Sequence, residues 1–74
     1  MESNYANNVL HYFYTGEGYS GGGFINSLIK TIALADVMNQ VLLSQVFPEI
    51  VSYVRMVMYV EDGADHVRRI ARGD

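Results

Sequence analysis

The sequence contains no cysteine and no tryptophan among its 74 residues, and it has a single proline. Without cysteine the chain can form neither a disulfide nor a thiolate zinc site, and it has no thiol nucleophile. Serine, threonine, lysine or a carboxylate would be the nucleophiles left, but Ser20 lacks the flanking residues of a nucleophile elbow. We therefore expect no catalytic residues and no enzyme activity.

Basic residues are also scarce. Five Lys and Arg stand against eight Asp and Glu, which gives a formal net charge of −3. A protein that binds duplex DNA normally presents a basic face to the phosphates, so we expect no DNA partner. Polar and charged residues interrupt the apolar segment 37–60, and the N-terminus lacks a basic signal region. We expect a cytoplasmic protein of the host cell, with no membrane contact.

Apolar residues, in contrast, are abundant and make up 50% of the chain. Residues 1–74 are short enough for a single domain, and a domain of this size has a large surface relative to its interior. The chain carries more apolar surface than so small a monomer can hide. The composition therefore predicts a homo-oligomer in which neighbouring chains complete the core.

Apolar residues recur at helical spacing along most of the chain. The pattern predicts helices over residues 4–15, 23–35 and 37–46, a fourth helix that begins at Pro48, and a tail helix over 64–72. It leaves open whether the second and third helices are continuous. We expect an all-α fold, a small helical domain of three to five helices completed by homo-oligomerisation.

The boundary between the third and fourth helices has a clear signal. Phe47 is pushed out of the helical region by the proline after it, whereas Pro48 and Glu49 suit the first turn of a helix. The fourth helix is apolar nearly all round, which in a small protein predicts burial on more than one side. We place the oligomer interface on this helix, and Gly63 with its acidic neighbours ends it.

A glycine-rich turn, Gly21–Gly23, stands directly before the second helix. The first N–H groups of a helix have no partner within the helix, and its dipole favours negative charge there, so a helix start can bind an anion. A P-loop would need a Lys-Ser/Thr pair after the last glycine, but Phe24 and Ile25 occupy that place. The turn is therefore predicted to hold a ligand without hydrolysing it. The competing interpretation is that the glycines only let the first two helices pack closely.

If the ligand is a phosphate-bearing nucleotide, the surrounding residues supply suitable chemistry. Lys30, about two turns beyond Gly23, would neutralise charge, and Asn26 would bond to the sugar or base. Tyrosines beside the turn would stack on the base, and arginines of a neighbouring subunit would complete the pocket. The candidate ligand-binding residues are Tyr14, Tyr19, Ser20, Gly21, Gly22, Gly23, Phe24, Asn26, Lys30, Arg68 and Arg69.

Metal ligands do not form a recognisable set. His11 and His66 have no partner at ligand spacing, and Asp62, Asp65 and His66 match no known ligand pattern. We expect no metal site and no cofactor.

The middle of the chain resembles a group of small, largely uncharacterised helical proteins encoded by bacteriophages. The resemblance covers residues 12–54 and rests on the order of a tyrosine-bearing first segment, Gly22-Gly23-Phe24, Ala35-Asp36, Asn39, and an apolar helix through Ile50, Val51 and Tyr53. Some phage proteins of this size are oligomeric sponges that sequester the nucleotide signals of host immunity without cleaving them. The resemblance implies a counter-defence role of that kind, while the segment after Tyr53 follows no pattern of the group.

Two functions from different classes follow. The first is a non-enzymatic phage accessory protein that sequesters a nucleotide signal at the glycine-rich turn. The alternative is a protein-interaction factor that binds and inhibits a host protein through its apolar fourth helix.

Overall fold

The computed structural model describes residues 4–74, and these fold into helices joined by short turns. The helices are α1 (Asn4–Phe13), α2 (Gly22–Leu34), α3 (Val37–Val46), α4 (Pro48–Tyr59) and α5 (Gly63–Arg72). Residues 4–74 contain no β-strand, so the predicted all-α fold is confirmed. The predicted boundaries agree to within a residue or two, the largest difference being that α1 ends at Phe13.

The fourth helix is the centre of the domain. It packs against each of the other four helices, and α1 in addition packs against α2 and α5. The third helix is peripheral, since within residues 4–74 it contacts only α2 and α4. This arrangement explains why α4 is apolar nearly all round: the helices that cover it belong to its own chain.

The apolar core comes from four of the five helices. Its buried side chains are Ala6, Val9 and Leu10 of α1, Leu28, Ile29 and Ile32 of α2, Ile50, Val51, Tyr53 and Val54 of α4, and Val67 and Ala71 of α5. Each fully buried Val, Leu or Ile stabilises the fold by about 1.5–3 kcal/mol relative to an exposed one. Helix α3 adds only the partly buried Leu43, so the core is complete without its outer face.

The second and third helices are separate, which resolves a question that the sequence leaves open. Ala35 has extended backbone angles of φ −73° and ψ 144°, and this ends α2. Asp36 then caps α3, since its carboxylate accepts a hydrogen bond of 2.8 Å from the Asn39 backbone N–H. A cap of this kind is typically worth about 1 kcal/mol.

The remaining junctions depend on one proline and one glycine. Phe47, at φ −126° and ψ 61°, lies between α3 and α4, and Pro48 is the first residue of α4, as predicted. Between α4 and α5, Asp62 adopts a left-handed conformation with φ 62°. Gly63 follows as the first residue of α5, and a Cβ there would overlap the carbonyl oxygen of Met56. The glycine therefore permits the close approach of α5 to α4.

Candidate functional site

The glycine-rich turn ends the connection between α1 and α2, residues 14–21, and this connection is packed against α1 through Gly18 and Gly21. Gly18 has φ +58°, and a Cβ on it would overlap the backbone carbonyl of Asn7. A Cβ on Gly21 would lie 2.8 Å from the Asn8 Oδ1 atom and 2.6 Å from the Ile25 side chain. These two glycines therefore serve the close packing that the competing structural interpretation requires.

The second half of the turn faces open space. Gly22 has φ +87°, a conformation that favours glycine, and no atom lies within 4 Å of a Cβ built on Gly22 or Gly23. Both residues are exposed at the start of α2. This is the part of the turn where a ligand has room to approach the backbone.

The hydroxyl of Ser20 already uses some of the polar groups at this helix start. Its Oγ accepts hydrogen bonds from the Gly22 backbone N–H at 3.1 Å and from the Asn26 Nδ2 at 3.0 Å. One of the two backbone donors predicted for an anion is thus engaged within the chain. The Asn26 Oδ1 atom, by contrast, is buried and has no hydrogen-bond partner among the described residues.

Tyr19 is fastened to α1. Its hydroxyl donates to the Asn4 Oδ1 at 2.5 Å, and its backbone carbonyl accepts from the Asn8 Nδ2 at 2.9 Å. These bonds hold the turn in place, so the geometry gives this tyrosine a structural task besides the predicted stacking on a base.

Arg68 and Tyr14 meet at the start of the connection between α1 and α2, beside Glu17. The guanidinium makes a two-point ion pair with Glu17, at 2.7 Å from Nε and 3.0 Å from Nη2, and its Nη1 lies 2.6 Å from Asp65 Oδ1. It also lies over the Tyr14 ring, 5.1 Å from the centroid. Within one chain Arg68 therefore has two carboxylate partners and fixes the turn to α5.

This ion pair shifts the titration of both of its members. The hydrogen bond from Arg68 holds the pKa of the Glu17 carboxyl below its ordinary value, and desolvation opposes that shift only in part. The hydrogen bonds to Glu17 and Asp65 raise the pKa of the Arg68 guanidinium. Charge-assisted bonds of this two-point form are the stronger ones.

The predicted ligand-binding residues thus fall into separate groups. Ser20, Gly22, Gly23 and Asn26 come together at the start of α2, whereas Tyr14 and Arg68 form the contact with Glu17. Lys30 and Arg69 are exposed on α2 and α5, two helices that do not pack against each other in the described chain. Within residues 4–74, no group of three or more His, Asp or Glu residues is placed to hold a metal ion.

A second candidate site is the outward face of α3. Only Gln40 of this helix is buried. Large apolar side chains on α3 and at the end of α2 are between 52% and 77% exposed, namely Leu34, Val37, Met38, Val41, Leu42 and Val46. On α3 they recur with helical spacing and form one stripe that lies away from Gln40. We call this set the α3 face.

A polar anchor holds α3 to the rest of the fold. Gln40, which is 2% exposed, donates from Nε2 to the Ile32 carbonyl at 3.1 Å and accepts from Arg55 Nη1 at its Oε1. Arg55 also lies over the Tyr59 ring at 5.4 Å. A buried amide is stable only when its groups are bonded, and both ends of Gln40 are. We call this orientation of α3 inverted, because its polar Gln40 faces the domain and its apolar stripe faces solvent, the reverse of an ordinary amphipathic helix.

Two clefts border the stripe. A groove of about 520 Å³ separates α3 from α2, and the apolar side chains that line it include Leu34, Leu42, Val46 and Phe47. On the other side, a cleft of about 270 Å³ is lined by Val37, Val41 and Arg55, among others. The α3 face is therefore a ridge with a depression along each flank.

Phe24 connects the two candidate sites. Its side chain is 68% exposed, and its ring lies 6.3 Å from that of Phe47, which lines the groove beside α3. The sequence predicts Phe24 as part of the ligand site at the turn. In the structure it also lies beside Phe47, at the end of the groove between α2 and α3.

The sequence predicts the oligomer interface on α4, whereas the exposed apolar side chains of the described residues lie mainly on α3 and at the end of α2. The buried side chains of α4 face the other helices, and its exposed apolar residues, Met58 and Tyr59, are at its C-terminal end. Sequence reasoning missed the α3 face. Its signal was the apolar pairs 37–38 and 41–42 in a helix that has no charged residue.

None of the helices in residues 4–74 is long and apolar enough to cross a membrane. Comparison with protein-family models, with curated proteins and with solved structures found nothing that matches this chain.

Proposed function

We propose that this protein acts by binding another protein through the α3 face, and that its task is contact and not catalysis. The observation that supports the proposal is the inversion of α3, which buries Gln40 and leaves its apolar stripe 52–73% exposed. Burying one Val, Leu or Met side chain is worth about 1.5–3 kcal/mol, so a partner that covers the stripe gains several such terms. Contiguous apolar patches of this kind mark interaction sites.

The shape of the surface indicates what such a partner presents. A groove lined by Leu34, Leu42 and Val46 suits apolar side chains that project from a helix at three- to four-residue spacing. Arg55 lines the cleft on the opposite flank, where it contacts the neutral amide of Gln40 and the Tyr59 ring. Within residues 4–74 it has no ion-pair partner, and it places a positive charge at the edge of the face.

The test compares capture by three forms of the chain. Leu42→Lys places a charge in the middle of the α3 face, and His66→Lys adds a similar charge on α5, which contacts neither α2 nor α3. We expect the partner to bind the wild type and His66→Lys with equal affinity and not to bind Leu42→Lys. The interaction is then measured by titration calorimetry with both purified proteins. A partner that binds all three forms equally would contradict the proposal.

A second candidate function is supported by the geometry at the start of α2. The open space over Gly22 and Gly23 and the unpartnered Asn26 Oδ1 atom suit a small polar ligand, and a helix start favours an anion. In this function the chain would sequester a phosphate-bearing nucleotide, as some small phage proteins do. Ser20 limits the site, because it already occupies the Gly22 donor.

Calorimetric titration with a panel of cyclic and linear nucleotides tests this second function. Gly23→Val is the informative variant, since a Cβ there meets no atom within 4 Å and the residue lacks a positive φ. The added side chain would cover the backbone donors without disturbing the fold. Nucleotide binding that Gly23→Val abolishes supports the second function, and the absence of binding by the wild type to any member of the panel removes it.

A further inference from the structure

We infer that the partner of the α3 face is a second copy of this chain, so that two copies pair along α3 about a two-fold axis. The inference rests on the proposed function and names the partner of the same surface. It is carried by the charge, the shape and the size of that surface.

The α3 face carries no charge. Helix α3, with the sequence VMNQVLLSQV, contains no Asp, Glu, Lys or Arg, and neither do the residues that line the groove beside it. In a two-fold interface a residue near the axis meets its own copy, so any charge there would oppose a like charge. Two chains with a net charge of −3 can therefore pair along this face without such repulsion. The charge of Arg55 borders only the second cleft, so the stripe itself and the groove along its other flank are uncharged.

The face offers both a ridge and a groove, which allows two copies to fit each other. Met38, which is 73% exposed, lies on the crest of the ridge, while Leu42 and Val46 line the groove at its side. Around a two-fold axis, when the ridge of the first copy lies in the groove of the second, the ridge of the second copy lies in the groove of the first. Ridges that pack into grooves are also the general mode of helix–helix contact.

The size of the face is close to that of a stable dimer interface. With six apolar side chains exposed by 52–77%, the face presents on the order of 700 Å². A standard interface buries about 800 Å² on each partner. Phe24, 68% exposed against the end of the groove, supplies further apolar area next to this surface.

Sedimentation velocity and sedimentation equilibrium of the full chain test the inference over a roughly hundredfold range of protein concentration. The forms compared are the wild type, Leu42→Lys, Met38→Lys and the control His66→Lys. We expect a reversible dimer for the wild type and for His66→Lys. Each lysine on the α3 face occurs twice in the dimer, so both variants should weaken dimerisation about a hundredfold or more and sediment as folded monomers.

Circular dichroism keeps the result interpretable, because Met38 and Leu42 are exposed and both variants should retain the helical spectrum of the wild type. A wild type that is monomeric throughout the concentration range overturns the inference. So does a dimer that both lysine variants retain, or an assembly that grows beyond two copies with concentration. A monomeric chain that still binds another protein through Leu42 overturns only the dimer and leaves the proposed function intact.

Discussion

Replacing Gln40 with alanine should destabilise the domain more than any exposed polar substitution on α3. Gln40 is 2% exposed and anchors α3 through its bonds to the Ile32 carbonyl and to Arg55. The bond to the carbonyl is worth about 1 kcal/mol, and the loss of buried side-chain volume costs about 1–2 kcal/mol more. Since Arg55 is exposed, water can replace much of its bond to Gln40. The total is about 2–3 kcal/mol.

Such a loss is large for so small a domain. In domains of this size 1 kcal/mol corresponds to about 4–8 °C in Tm, so Gln40→Ala should lower Tm by roughly 10–20 °C. Urea and thermal unfolding followed by far-UV circular dichroism measure the change. Both are performed at one low protein concentration, so that self-association does not contribute.

The matched control is Gln45→Ala, which makes the same chemical change on the exposed side of the same helix. It should alter stability by no more than about 0.5 kcal/mol. Gln40→Met restores the lost volume but not the hydrogen bonds, so it should recover about half of the loss. Equal effects of Gln40→Ala and Gln45→Ala would refute the assignment of Gln40 as the anchor and, with it, the inverted orientation of α3.

Two further substitutions test other contacts. Gly63→Ala places a Cβ against the Met56 carbonyl and should lower the free energy of unfolding in urea by on the order of 3 kcal/mol. The control Gly16→Ala, whose Cβ would meet no atom within 4 Å, should lower it far less. Equal losses would contradict the close contact of α4 and α5. For Glu17, the ion pair with Arg68 lowers the folded-state pKa, so its stabilisation is present above the ordinary value of 4.5 and is lost as the pH falls below it. Glu17→Gln should therefore unfold at a urea midpoint that falls less steeply with acid than that of the wild type, and parallel pH profiles would exclude a stabilising ion pair.

The positions of the helices could be predicted from sequence because their signals are local. Phe47-Pro48 ends one helix and begins the next through steric limits on two adjacent residues. Apolar residues at helical spacing identified all five helices. The break at Ala35–Asp36 was less certain from sequence, since an aspartate can cap a helix or lie within one, and the Asp36 side chain decides it through its bond to the Asn39 N–H.

The role of each surface could not be predicted, because it depends on contacts between distant residues. The sequence of α4 predicts an oligomer interface, because no local sequence signal distinguishes apolar sides covered by the same chain from apolar sides covered by another copy. Gln40 reads as a surface residue until the Ile32 carbonyl and Arg55, 8 and 15 residues away, are seen to meet it. Likewise Gly21 is a packing residue because Asn8 of α1 lies against it.

The inverted orientation of α3 separates the proposed binding surface from the core of the domain. The buried residues of the apolar core all belong to α1, α2, α4 and α5, and α3 is held through Gln40 and the partly buried Leu43. The apolar stripe of α3 therefore contributes little to the stability of the monomer, although leaving it exposed favours any association that covers it. Substitutions such as Leu42→Lys should then abolish association while the domain stays folded, which a surface that formed part of the core would not allow.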